Sequence, residues 1–361
     1  MAPLRAVHRA AAELRRGAPV LLTGPEPLVA LAAETARRRG LGELAVLGGG
    51  RAVLLLAPTR AAAVLRRPVQ QSSDAVALAL TAPLMAPEAL RSLADPTLDQ
   101  SRAEVPEQLA APEAGAAVLT LVKLARLLPA AVAVPAASTA ADAAARLGLL
   151  EVSAAAVQAY PGAGTAGLER LVDARVPLED STDTRIIAFR TADAGIEHLA
   201  IVVGDPWAIE APLVRLHSEC FTGDLLGSLR CDCGLQLRGA IRRMAQERAG
   251  VLLYLAQEGR GIGLINKLRA YTLQDSGLDT LDANRALGWG ADERNFLIAA
   301  TMLEAIGIRR IRLLTNNPDK LAALAACGID VAGRVPHAFK PNGVNDLYLA
   351  TKARRFGHLL D

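Results

Sequence analysis

The sequence predicts an α/β chain, of α+β type in its second half, divided into two domains. Three observations carry that expectation. At 361 residues the chain exceeds one ordinary core. Short apolar runs of strand length alternate with helix-length amphipathic segments. Composition changes near Pro161: ahead of it cysteine is absent and alanine dominates, whereas behind it Gly, Asp, Asn and Cys collect in the loops.

The first half opens on MAPLRAVHRAAAELRRGAPVLL, which reads as an amphipathic helix leading into a strand. Arg5, Arg9, Glu13, Arg15 and Arg16 interrupt its apolar residues, so it lacks the unbroken apolar stretch of a secretory signal. Apolar runs at 18–22 and 52–56 are strand candidates between alanine-rich helical patterns. The region 116–137 contains Lys123, Arg126 and Pro129, which argue against a membrane span. With 52% hydrophobic and 21% charged residues the chain can bury a core, and a cytoplasmic protein is expected. A net charge of +3, from 40 basic and 37 acidic residues, leaves no broad footprint for nucleic acid but allows a local phosphate pocket. YPGAGTAG at 160–167 combines Pro with three glycines and reads as a linker. Domains are therefore expected at 1–160 and 169–361, with the linker at 161–168.

Beyond the linker, strands are expected at 185–189, 199–203, 251–255 and 311–314. Helices are expected at 235–249, 264–274, 295–306 and 320–326. Two neighbouring strands followed by strands alternating with helices argue for a mixed sheet.

Three of the four cysteines cluster as Cys220-x10-Cys231-x-Cys233, which resembles a metal site more than a disulfide framework. Residues two apart in an extended segment face the same way, so Cys231 and Cys233 can address one ion, with Cys220 returned by the loop at 222–229. Thiolates favour Zn²⁺, and three protein ligands plus water describe a catalytic zinc. Spacing alone leaves a structural zinc, closed by His217 or a remote residue, equally open. Cys327, at the end of an alanine-rich helix, reads as a small buried hydrophobe.

A second constellation is VLLYLAQEGRGIGLINKLRAY, an apolar strand running into Glu258-Gly259-Arg260-Gly261-Ile262-Gly263 and then a helix. Glycines let backbone approach an anion, a helix start offers amide donors, and Arg260 can add a bidentate contact. A plain tight turn would look the same. IRLLTNNPDKLAALAACG forms a second strand-to-helix junction, where Thr315 and Lys320 flank Asn316, Asn317 and Pro318. Two anion sites suggest a polyphosphate. GWGADERNF places Asp292 beside Arg294, a solvated ion pair in isolation and a catalytic candidate in this company.

Together RLHSECFTGD, GSLRCDCGLQL, YLAQEGRGIGLINKLRAY, GLDTLDAN, GADERNF, RLLTNNPDK and the terminal GHLL resemble GTP cyclohydrolase II, over about 185–360. The resemblance implies Zn²⁺, one per subunit, on Cys220, Cys231 and Cys233. It implies nucleotide contacts at Arg215, Leu216, His217, Ser218, Glu219, Gln236, Glu258, Gly259, Arg260, Thr280, Thr315 and Lys320. A proton acceptor falls on Asp292 and a proposed nucleophile on Arg294. A guanidinium with a pKa above about 12 is a poor nucleophile, so stabilising phosphoryl charge is the physically simpler role for Arg294. The implied chemistry is attack of zinc-activated water on C8 of the guanine of GTP, ring opening, and loss of formate and of pyrophosphate escorted by Mg²⁺. This is the first step of riboflavin synthesis, carried out by a homodimer. A paralogue acting on a related ring, and a non-catalytic nucleotide-binding protein with a structural zinc, are the competing readings.

The first 160 residues resemble the 3,4-dihydroxy-2-butanone 4-phosphate synthase domain through AAAELRRGAPVLL and STAADAAARLGLL. The synthase's acidic run should follow the first strand, but TGPEPLVAL has Glu26 as its only acid, and Ser138 stands where the catalytic histidine belongs. A degenerate domain serving packing, dimerisation or regulation is expected.

Overall fold

The computed structural model describes residues 2–69, 74–101, 104–163, 167–191 and 195–359. The chain forms two compact units. The first comprises Met1–Gly164 and Ile265–Ala291, the second Thr165–Leu264 and Asp292–Asp361.

Unit 1 begins with the expected amphipathic helix, Ala2–Arg16, which buries Val7, Ala10 and Leu14 on one stripe. Gly17 ends it at φ 78°, donating to Leu14 while Ala18 donates to Glu13. A side chain at Gly17 would put its Cβ 2.5 Å from the Thr35 carbonyl oxygen, so both conformation and space select glycine. Seven strands follow: β1 (Val20–Thr23), β2 (Leu28–Ala32), β3 (Val53–Leu56), β4 (Val76–Ala79), β5 (Gln108–Leu109), β6 (Ala130–Pro135) and β7 (Glu151–Ser153). They pair in the order β5-β4-β3-β6-β2-β1-β7, all antiparallel except β1 with β7. Every residue of β2, β3 and β4 is buried, so both sheet faces are covered. Alanine at 10, 11, 117 and 125 lets helices approach this core closely.

Unit 2 holds the other seven strands: β8 (Leu168–Arg175), β9 (Thr184–Thr191), β10 (Glu197–Gly204), β11 (Leu213–Ser218), β12 (Ala249–Leu255), β13 (Arg310–Leu314) and β14 (Asp330–Val335). Their order is β14-β13-β11-β12-β10-β9-β8. Neighbours from β8 through β12 are antiparallel, whereas β12, β11, β13 and β14 are mutually parallel. The chain leaves β11 toward β12 on one side and leaves β13 toward β14 on the other. The carboxyl ends of β11 and β13 therefore flank a topological switch point, where open α/β sheets leave a crevice.

The four expected strands correspond to β9, β10, β12 and β13. The sequence reading missed β8, whose outer residues are charged and exposed, and β14, which contains Gly333. It also missed β11, LVRLHS, because Arg215 and His217 break its apolar run although both are buried. The unit division falls within the expected linker 161–168, of which 164–166 lie outside the described residues. The helix Ala154–Ala163 runs into that linker, taking in Pro161. Residues 265–291, assigned from sequence to the second domain, belong to unit 1, where Leu273, Leu281, Leu287 and Trp289 are buried. Of the terminal GHLL, Leu360 lies outside the described residues. Among the described residues no helix is long and apolar enough to cross a membrane.

Candidate metal and nucleotide site

Three loops leave the carboxyl ends of β11, β12 and β13 and bring most of the expected residues together in unit 2. The first carries the cysteines. Cys220 follows β11, Cys231 precedes the helix Cys233–Glu247, and Cys233 is its first residue. Their sulfurs lie within 4.8 Å of one another, with Cys220 and Cys231 3.9 Å apart. The segment joining Cys231 to Cys233 is not extended as expected. Asp232 sits at φ −103°, ψ 8°, so the helix start, whose dipole favours thiolates, makes the two sulfurs converge.

Gly223 closes this cradle. A methyl group there would stand 2.7 Å from Cys231 Sγ and 3.0 Å from Cys220 Sγ. Without an ion, hydrogen bonding to Cys220 helps push the Cys231 thiol up to about 11, and Cys233 rises well above its ordinary value through bonds to both other thiols and burial. Cys231 and Cys233 hold their protons unless a cation compensates their charge, so the donor set fits a thiophilic metal. His217, the alternative fourth ligand, stands outside the cluster. Its Nε2 lies 3.1 Å from both carboxylate oxygens of Asp224. Burial lowers the His217 pKa against the opposing pull of Asp224. A neutral ring donating Nε2–H to Asp224 leaves an acceptor at Nδ1, which is buried without a hydrogen-bond partner among the described residues.

Asp224 and Asp232 are organising residues that the sequence reading passed over. Asp224 also accepts from the Cys220 amide (3.0 Å) and the Tyr254 hydroxyl (3.1 Å), fixing the loop that returns Cys220. Asp232 accepts from Lys352 Nζ at 2.7 Å and from the Gln236 amide group. Burial raises the Asp232 pKa, but Lys352 and Gln236 outweigh it and the net shift is downward. Gln236 in turn accepts from Arg215, linking the cysteine loop to β11. The signal for both acids was their place inside the cysteine run, where a carboxylate has backbone amides to organise.

The second loop, Glu258–Gly261, has left-handed backbone at Gly259 (φ 62°), Arg260 (φ 63°) and Gly261 (φ 96°). Its amides are partly used internally: Gly259 donates to the Glu258 carboxylate, Gly261 to the Gln257 carbonyl and Gly263 to the Glu258 carbonyl. Glu258 also accepts from the Phe221 amide at 2.7 Å, tying this loop to the cysteine loop. These bonds leave the Arg260 side chain, rather than the turn, as the candidate of this loop for meeting an anion. The guanidinium lies 3.8 Å from the Phe356 ring centroid, and its buried Nη1 has no hydrogen-bond partner among the described residues.

The third loop runs from Thr315, whose hydroxyl accepts from the Asn317 amide, to the helix Pro318–Ala326, capped by Asn317. Lys320 is buried and donates to the Leu216 carbonyl at 3.1 Å, bridging β13 to β11 across the switch point. Arg215 bridges the same gap by donating to the Leu314 carbonyl at 3.0 Å. Ser218 ends β11, and the Glu219 amide donates to Leu255. Asp292 and Arg294 form a two-point ion pair with Nε to Oδ1 at 2.8 Å. Thr280 alone of the expected contacts belongs to unit 1, as first residue of the helix Thr280–Ala286.

Electrostatics links these groups. Burial pulls Arg215 down to about 10, with Arg294 contributing. Lys320 falls well below its ordinary value through burial and then the charges of Arg294 and Arg215. Arg260 is lowered by burial, and Arg294 adds to that. Arg294 lowers the other three and Arg215 also lowers Lys320, so positive charge is concentrated in this desolvated crevice.

Comparison with known proteins gives the family. Residues 169–336 match the family model described as GTP cyclohydrolase II. A GTP cyclohydrolase-2 of Azospirillum brasilense is 50% identical over 368 residues, covering 99% of this chain and 94% of that protein. A GTP cyclohydrolase-2 of Actinobacillus succinogenes is 49% identical over 195 residues, covering 54% of this chain and 89% of its own length. A solved two-domain 3,4-dihydroxy-2-butanone 4-phosphate synthase from A. baumannii aligns with 88% of this chain and 96% of its own. Its identity to this chain is 18% and the TM-score is 0.34.

Proposed function

The chain belongs to the GTP cyclohydrolase II family of hydrolases, and we propose that it uses zinc to open the guanine ring of GTP, releasing formate, pyrophosphate and a diaminopyrimidinone ribosyl phosphate. The observation that carries the reading is the placement of three thiols beside Arg215, Arg260, Arg294 and Lys320 at the carboxyl ends of parallel strands. The family model, matched over residues 169–336, supports assigning the chemistry to the C-terminal half.

Cys220, Cys231 and Cys233 would hold the zinc, which supplies a Lewis acid able to bring the pKa of water down to about 7. Asp224 holds the loop between the first two ligands, and Gly223 leaves room for the sulfurs. Arg215, Arg260 and Lys320 would bind and orient the triphosphate, with Mg²⁺ accompanying the pyrophosphate portion. Arg294, aimed by Asp292, would stabilise charge at the phosphoryl group undergoing cleavage. Burial raises the Asp292 pKa, but the bonds and charge of Arg294 reverse the shift and keep the carboxylate ionised. Asp292 can then accept a proton only once substrate draws Arg294 away. Exposed Leu225, Leu226 and Leu229 in the cysteine loop support self-association, in keeping with a homodimer.

Incubation with GTP and Mg²⁺, following formate and the pyrimidine by absorbance, tests the reading. One formate per pyrimidine is expected. A protein carrying one zinc per chain that forms neither product refutes it.

A further inference from the structure

The C-terminal helix of unit 2, Asp346–Phe356, sets Tyr348, Lys352 and Phe356 four residues apart on one face. Lys352 is buried, its Nζ lies 4.3 Å from the Tyr348 ring centroid, and it donates to Asp232 Oδ1 at 2.7 Å. The other Asp232 oxygen accepts from Gln236, which in turn accepts from Arg215. One turn beyond Lys352, the Phe356 ring centroid lies 3.8 Å from the guanidinium carbon of Arg260. The segment is moored at both ends within unit 2. Ahead of the helix, the Asn342 side chain donates to the Leu229 carbonyl of the cysteine loop at 3.1 Å. Asn342 and fully buried Asn345 each accept from the other's backbone amide, at 2.9 and 3.0 Å. Behind the helix, Gly357 turns the chain at φ 61°, and the Leu359 amide donates to the Asn316 carbonyl at 2.8 Å. Residues 342–359 therefore touch all three loops of the site.

We propose that this helix forms a wall of the site, in which Lys352 is a positioning residue for the metal-binding pair Cys231 and Cys233, and Phe356 is one for Arg260. Asp232 is the single residue between the two cysteines, so its backbone torsions set how their sulfurs converge. A carboxylate held on one oxygen by Lys352 and on the other by Gln236 cannot swing without losing buried bonds, which keeps those torsions fixed. Gln236 lies one turn along the same helix start and moves with Asp232, its amide donating to the Asp232 carbonyl at 2.9 Å. Lys352 alone of the two ties Asp232 to a separate element. Phe356 works differently. A ring face attracts the Arg260 cation without accepting from its N–H donors as a carboxylate would, so the donors stay free for an anion. The contact also steadies a residue whose backbone is left-handed at φ 63°, a conformation that persists only when its surroundings over-determine it. Adjacent turns, about 6 Å apart along the helix axis, thus serve the metal and the anion separately.

The kinetic consequences rest on the cyclohydrolase reading; the metal and anion consequences do not. Single substitutions in the full chain separate them, each followed by chelator competition for zinc, the visible spectrum of the cobalt-substituted protein, calorimetric binding of inorganic triphosphate and steady-state kinetics with GTP. Lys352→Met should weaken zinc retention about tenfold, shift the cobalt–thiolate bands and lower kcat, with triphosphate affinity held within about twofold. Phe356→Leu should weaken triphosphate binding and raise KM about fivefold, with zinc retention and the cobalt spectrum as in wild type. Lys352→Gln, which can still donate to Asp232, should show a smaller loss of zinc retention of the same pattern, and it stands in if Lys352→Met does not fold. Both variants weakening metal and triphosphate alike, as a merely structural helix would give, overturns the inference. So does either variant leaving its own readout unchanged. The same split between zinc and triphosphate in a protein that turns over no GTP supports the positioning roles and defeats the cyclohydrolase reading.

Discussion

The two seven-stranded sheets differ in where their strands end. In unit 1 nearly every neighbour is antiparallel, so carboxyl ends alternate between the two rims. In unit 2 four parallel strands open their carboxyl ends onto one rim, and the cysteines and cations gather there. Buried charge follows the same division. Arg60 in unit 1 is consumed in bracing a loop, donating to the carbonyls of Leu93 and Ser92 and to Gln100. Unit 2 leaves Arg215 Nε, His217 Nδ1 and Arg260 Nη1 buried and unsatisfied among the described residues. A buried polar atom without a partner costs stability, and unit 2 carries these three on the candidate site residues.

Removing a thiol breaks this contrast most severely. Cys231→Ser should lose zinc and at least about a thousandfold in turnover while the unit 1 melting transition stays in place; metal analysis and calorimetry check both. Next comes Arg294→Lys, expected to lower kcat by about a hundredfold through misplaced charge. Neither wild type nor this variant should yield a trappable covalent nucleotide adduct. An adduct present in wild type and absent in Arg294→Lys would instead establish Arg294 as a nucleophile.

A smaller effect is expected in the pH dependence of unit 2. Burial, then Arg215, pushes His337 down to about 4 from an ordinary 6.5. Between those values the unfolded chain binds a proton that the folded chain refuses. Stability is therefore full above pH 6.5 and falls as pH drops toward 4, by on the order of 2–3 kcal/mol. Denaturant titrations should show His337→Gln flattening that window. Smallest of all, Glu26→Gln should leave GTP turnover unchanged, and the purified protein should form no butanone phosphate from ribulose 5-phosphate. Formation of that product would erase the functional contrast between the units.

What the sequence made legible follows from the same physics. β9, β10, β12 and β13 were readable because apolar runs of strand length mark buried strands. β11 was hidden because its polar residues belong to the site, so the local pattern broke where function is built. The cysteines were readable from spacing, but their geometry was not: convergence comes from a helix start that no two-residue periodicity anticipates. Lys352 and Phe356 act through contacts across the fold, with Asp232 and Arg260, and a sequence carries no local trace of these. The transfer of 265–291 to unit 1 was invisible for the same reason, since Arg269 meets Asp95 and Glu34 only in three dimensions.

The central claim is that three thiols hold a working metal rather than a structural one. Stripping zinc with a chelator, then following turnover and the unit 2 melting transition before and after zinc is restored, tests it most directly. Turnover should vanish, the fold of unit 2 should persist, and activity should return with one zinc per chain. Collapse of the unit 2 transition on zinc removal would contradict the account and mark the site as structural.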